Sequence, residues 1–135
     1  MTTNQSSKVL NISLWVVQIL LAAAFGMAGF FKISLPLAEL AAKGMGFVNH
    51  TPEMMVRFIG ASELAGALGL ILPAALRIKP VLTPIAAVGL AVIMILAAKE
   101  HVEQNESVTA NMILFLLASF VAWGRFTKAP IQAKN

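Results

Sequence analysis

Residues 53–73 read EMMVRFIGASELAGALGLILP, a run of apolar and small side chains interrupted by one glutamate near its middle, Glu63. At ~1.5 Å per residue the run is long enough to cross the roughly 30 Å hydrocarbon core of a bilayer. A carboxyl at that depth costs about 2.5–3.5 kcal/mol on insertion scales, so it is expected to face other helices and not lipid. Gly60, Ala61, Ala65, Gly66 and Gly69 leave little bulk beside it. Small residues at such spacing let a neighbouring backbone come close. The stretch therefore reads as the inner helix of a membrane bundle, with Glu63 as its polar centre and Gly60, Gly66 and Gly69 as helix-packing positions.

The rest of the composition agrees. The chain has 135 residues, 59% hydrophobic and only 12% charged, with a mean hydropathy of +0.83. Soluble domains carry about 25% charged residues, so this balance points to a membrane class and to a single domain. Cysteine is absent, which excludes disulfide exchange, thiolate zinc sites and thiol-based quinone reduction within this chain. Two histidines among scattered carboxylates give no metal-ligand spacing, and the chain has no Walker loop, dinucleotide fingerprint or G-x-S-x-G sequence. No cofactor motif is evident. The net charge of +4 comes mostly from residues outside the apolar runs. Topology accounts for it better than nucleic-acid binding does.

Working outward, the pattern predicts an all-α, integral membrane bundle of four transmembrane helices at about 10–32, 53–73, 80–98 and 108–126. A polar N-terminal tail occupies 1–9 and a basic C-terminal tail 127–135. Residues 33–51 are too polar to span, and the spacing of Leu37, Leu40 and Ala41 predicts a short interfacial helix there. Thr51, Pro52 and Glu53 read as N-cap, first-turn proline and early acid of the second span. Pro73 is expected to close that span, Pro80 and Pro84 to sit in the opening turn of the third, and 99–107 to form a charged loop. Four crossings put both termini on one side. That side holds six basic residues (Lys8, Arg77, Lys79, Arg125, Lys128, Lys134) and the other four. The positive-inside rule then predicts cytoplasmic termini in the cytoplasmic (inner) membrane.

Depth sorts the polar residues. Glu63 lies about 15 Å into its span, near the midplane. Gln18 and Ser119 fall at comparable depth, so the three are expected to form one buried layer. Two readings follow. Gln18 and Ser119 hydrogen-bond across helices and simply satisfy Glu63. Alternatively Glu63, lacking a cationic partner, keeps its proton and serves proton transfer or contact with a quinone. At the outer end, Lys32, Arg57 and His101 are expected to rim a shallow pocket above Glu63. Simpler roles exist for each: Lys32 snorkels, Arg57 pairs with Glu53 at i,i+4, and His101 sits in a wet loop.

The segments AGFFKI (28–33) and RFIGASELAGALGLILP (57–73), the proline-led third helix and His101 resemble the DoxX-like family of four-helix membrane proteins. The resemblance covers about 10–125, and Lys32, Arg57, Gly60, Glu63 and Gly66 fall on the family's recurring pattern. It implies the fold more firmly than an activity. The family takes its name from a subunit associated with thiosulfate:quinone oxidoreduction. Other relatives belong to oxidative-stress complexes at bacterial membranes, and distant animal relatives are assembly chaperones for membrane receptors. One expectation is therefore an accessory or ligand-binding component of a quinone-linked or oxidative-stress system, receiving a quinone or other lipid-soluble ligand. The alternative is a non-catalytic partner or chaperone whose small-residue faces bind a membrane or redox protein, or a second copy in a homo-oligomer. The sequence leaves open whether the chain is an enzyme.

Overall fold

A computed structural model describes residues 2–134, and all of its regular structure is helical. Helix α1 spans Thr2–Ser34, α2 Leu37–Ala42, α3 Glu53–Leu76, α4 Leu82–Glu103 and α5 Thr109–Trp123. A 3₁₀ turn at Gly46–Asn49 follows α2, and a π-helical turn at Gly124–Lys128 extends α5. Four of these helices are long and apolar enough to cross a membrane: Ser7–Ser34 within α1, then α3, α4, and Thr109–Lys128. They pack as a closed ring in which α1 contacts α3, α3 contacts α4, α4 contacts α5 and α5 returns to α1. Both described ends of the chain lie on one face of the bundle.

Apolar side chains lie on both sides of these helices, as lipid requires. Leu21, Phe25, Leu70, Leu90 and Val121 are buried between them. Ile19, Phe58, Leu68, Val92 and Leu116 point outward and are about half or more exposed. Among the described residues the buried polar side chains are Gln18, Glu63, Thr83 and Arg125. Polar groups inside and hydrocarbon outside is the arrangement a bilayer favours.

Backbone contact between α1 and α3 sets their spacing. A Cβ on Gly29 would meet the Gly60 carbonyl oxygen at 2.6 Å, and one on Gly60 would meet Lys32 Cβ at 2.6 Å. The helices can approach this closely only because both positions are glycine. On the other side of α3, Gly66 seats Leu90 and Gly69 faces Ala86 of α4. Gly60, Gly66 and Gly69 thus all meet neighbours within this chain.

Several boundaries differ from the sequence reading. The 1–9 segment continues α1 back to Thr2, since extending an existing helix adds one hydrogen bond per residue without a new nucleus; Met1 and Asn135, the outermost residues of the two tails, lie outside the described residues. Thr51 does not cap α3. Its hydroxyl returns to the Phe47 carbonyl at 2.8 Å, and Pro52 is the residue before the helix. Pro73 does not end α3, which runs on to Leu76. A proline there removes the N–H that the Gly69 carbonyl would accept, and Thr83 Oγ1 of α4 donates to that oxygen at 2.9 Å. Arg77, in the left-handed region at φ 58°, closes the helix instead. Helix α4 likewise continues through the charged residues to Glu103, so His101 lies in its last turn and not in a loop.

Between α1 and α3, the expected interfacial helix is α2, with the 3₁₀ turn beside it. Gly44 at φ 95° follows α2 and lets Met45 N–H reach back to the Leu40 carbonyl, the usual left-handed helix stop. Leu40, Val48 and Val56 bury one another there, with Phe31 and Phe47 packed against them. This small cluster covers the bundle end opposite the termini.

Candidate functional site

Glu63 is 2% exposed and forms an ion pair with Lys32 Nζ. The premise of an unpartnered carboxyl therefore fails: the last turn of α1 supplies the cation. Lys32 turns inward and does not snorkel, because the glycine contact at Gly29 and Gly60 brings the end of α1 against α3 one turn from Glu63. At that end Lys32 is also well placed beside the negative pole of its own helix.

Arg57 holds this arrangement from behind. Its Nη1 donates to the carbonyl oxygens of Lys32 at 2.7 Å and Leu35 at 2.6 Å, and its Nη2 to Glu53 Oε1 at 2.9 Å. The first two bonds satisfy carbonyls left open at the C-terminus of α1. Arg57 thus fixes the backbone of Lys32 and is not part of the cavity wall.

The pair forms the floor of a cavity of about 480 Å³ between α3, α4 and the α2 cap. Its walls are largely apolar, with Met45, Phe47, Phe58, Met94 and Leu96 prominent. Phe58 and Leu96 are 66% and 63% exposed on the outer surface of the bundle. The mouth therefore opens sideways, toward the side that faces lipid. His101 lines the far rim, with its Nδ1 2.6 Å from Glu106 Oε2. Asn111 of α5 also lines the cavity, with its amide 3.8 Å from Met94 Sδ.

A model of the DoxX-like family matches residues 16–123. The chain belongs to the DoxX-like family. Searches of curated proteins and of solved structures gave no match. Family membership and four apolar helices together make this DoxX-like chain a multi-pass membrane protein.

Lys32, Glu63 and His101 come together around one cavity in this DoxX-like bundle, but Gln18 and Ser119 do not join them. Gln18 is fully buried in the terminal half, donating to the Leu70 carbonyl at 2.7 Å and accepting from Arg125 Nε at 2.6 Å. Ser119 is half-buried on α5 and bonds to neither group among the described residues. Equal depth along separate helices does not bring side chains together, since each must also rotate onto the same interior face. Four residues escaped the sequence reading. Phe47 and Met45 come from a loop folded over the bundle end, and no periodicity in 44–51 announces that. Asn111 is one polar residue in an apolar run, a signal that was present. Arg125 reads as one of the basic residues gathered on the terminal side, yet it is 3% exposed.

Proposed function

We propose that this DoxX-like protein is a ligand-binding, accessory component of a quinone-linked or oxidative-stress system, and that its cavity receives a quinone or similar carbonyl-bearing, lipid-soluble molecule. The supporting observation is the cavity itself: apolar walls, a lateral mouth between α3 and α4, and a floor made by the Lys32–Glu63 pair. Pockets that bind lipid-soluble molecules combine an apolar lining with a few convergent polar groups. Lys32 has three N–H donors, only one of which is needed by Glu63, so it can also donate to a carbonyl oxygen of the ligand. The ring would lie among Phe47, Phe58 and Met94, and the prenyl tail would leave past Phe58 and Leu96 into the acyl chains. The excess of basic residues on the terminal side supports cytoplasmic termini in the inner membrane, with this cavity in the outer half.

The test is equilibrium binding of a short-chain ubiquinone to the purified full chain, beside Ala97→Phe, which adds bulk at a lining position of α4 and leaves Lys32 and Glu63 unsubstituted. The expected result is saturable binding by the native protein and at least tenfold weaker binding by Ala97→Phe, with helical content unchanged. Equal binding by both, or no saturable binding by the native chain, overturns the reading. A stoichiometric membrane protein recovered with the chain, and no lipid-soluble ligand, would support the chaperone alternative.

A further inference from the structure

A second cavity, shallow and largely open to the surface, with a volume of about 530 Å³, lies on the face that carries the termini, between the start of α1, the end of α3 and the segment around the π turn. Arg77 and Lys128 line it together with Ser7, Asn11 and Trp15. Arg125 lies directly behind the wall, buried to 3% exposure. Its Nη1 donates to Asn11 Oδ1 at 2.7 Å and to the Ala129 carbonyl at 2.9 Å, and its guanidinium lies 5.5 Å from the Trp15 ring centroid. Asn11, Ala129 and Trp15 are all wall residues of this cavity.

Among the described residues no anionic group pairs with Arg125. Every acceptor on Arg125 is neutral, and its Nη2 is buried with no hydrogen-bond partner among the described residues. A buried cation in such surroundings carries a large desolvation penalty that neutral acceptors and an aromatic face offset only in part. This face offers no acidic side chain, because all six (Glu39, Glu53, Glu63, Glu100, Glu103, Glu106) belong to the rest of the molecule. Arg125 lies within the π turn, where Ala129 N–H bonds Gly124 O and the chain winds wider than an α-helix. Such turns recur at functional sites.

We propose that this cavity binds the phosphate of an anionic membrane lipid, with Arg77 and Lys128 contacting the headgroup and Arg125 supplying positive potential through the wall. A lipid fits better than free phosphate because the wall continues into apolar surface at Ala74, Ala75, Pro130 and Ile131, which suits the glycerol and first acyl carbons. Trp15 stands at the level where aromatic side chains meet headgroups. Basic pockets between helices on one side of a membrane are recognised headgroup sites.

The experiment measures phosphatidylglycerol and phosphatidylcholine binding to the full chain by native mass spectrometry, with inorganic phosphate as a separate competitor. Phosphatidylglycerol is expected to bind preferentially. Arg77→Gln with Lys128→Gln should weaken it about twenty-five-fold, at roughly fivefold for each charge that contacts the headgroup. Lys79→Gln with Lys134→Gln removes two charges from the same face outside the cavity and should weaken it less than threefold. Lys128→Gln alone, expected to lose about fivefold, keeps the test intact if the first pair fails to fold. Equal losses for the two pairs, no preference for phosphatidylglycerol, or displacement of the lipid by phosphate at matching concentration would overturn the proposal.

Discussion

Lys32 and Glu63 act as one unit, and what each does alone follows from burial. Removing one partner leaves the other charge inside without compensation, which typically costs about 3–5 kcal/mol, whereas replacing both with apolar residues is often neutral or stabilising. Glu63→Gln should therefore destabilise the bundle by several kcal/mol, and Lys32→Met with Glu63→Met should recover most of it. Unfolding in mixed micelles measures both, and a double variant as unstable as the single one would contradict the pairing. Glycine gives a second test at this scale. Gly60→Ala drives a methyl into Lys32 Cβ at 2.6 Å and the Gly29 carbonyl at 2.9 Å, an overpacking worth roughly 1–3 kcal/mol. Gly89 has nothing within 4 Å of its missing Cβ, so Gly89→Ala should stabilise by about 0.5–1 kcal/mol through helix propensity alone. Thermal unfolding of the two variants should move in opposite directions. Glu63 was legible as buried because lipid forbids the alternative. Its partner was not, because nothing in AGFFKI says whether a terminal lysine turns inward or snorkels outward.

At the scale of the helix, α3 survives Pro73 because a neighbour repairs it. Thr83→Val would leave the Gly69 carbonyl with no donor from Pro73 or from α4, a loss of about 1–3 kcal/mol for a buried acceptor. Pro73→Ala restores the N–H within α3, so the double variant Pro73→Ala with Thr83→Val should lose much less than Thr83→Val alone. A chemical-denaturation series on the four proteins checks this, and additive losses would show that Thr83 acts elsewhere. Hydrophobic runs made the existence of four spans and a short helix between the first two legible. Their ends were not, because groups on other elements take up the exposed backbone: Thr83 lets α3 pass Pro73, and Arg57 holds the carbonyls at the end of α1. The charged residues of 99–103 looked like loop because charge suggests water. A helix emerging from a bilayer carries charge in its last turn without unwinding, and here Lys99 and Glu103 also face each other at 3.9 Å.

For the whole molecule, the two ends differ in chemistry. One half holds the acids and an apolar cavity over an ion pair, and the other holds basic residues around a buried arginine. The absence of cysteine makes this asymmetry easy to measure, since single cysteines can be introduced without background. Cysteines at Lys8 and Lys134 should share one response to a membrane-impermeant maleimide in intact cells, and cysteines at His50 and Asn105 the opposite one. A split within either pair would break the four-crossing topology. The cavity was only partly legible: Lys32, Glu63 and His101 could be named from spacing, but Phe47 and Met45 could not, because the loop that folds over the end is held by tertiary contacts. The most direct test of the proposal that this cavity binds a quinone is photolabelling of the protein in native membranes with an azido-ubiquinone, followed by peptide mapping. Label concentrated on the inward cavity residues Met45, Phe47 and Met94, and competed away by unlabelled quinone, is the predicted result. Label spread along the lipid-facing side chains, or insensitive to competitor, would contradict it.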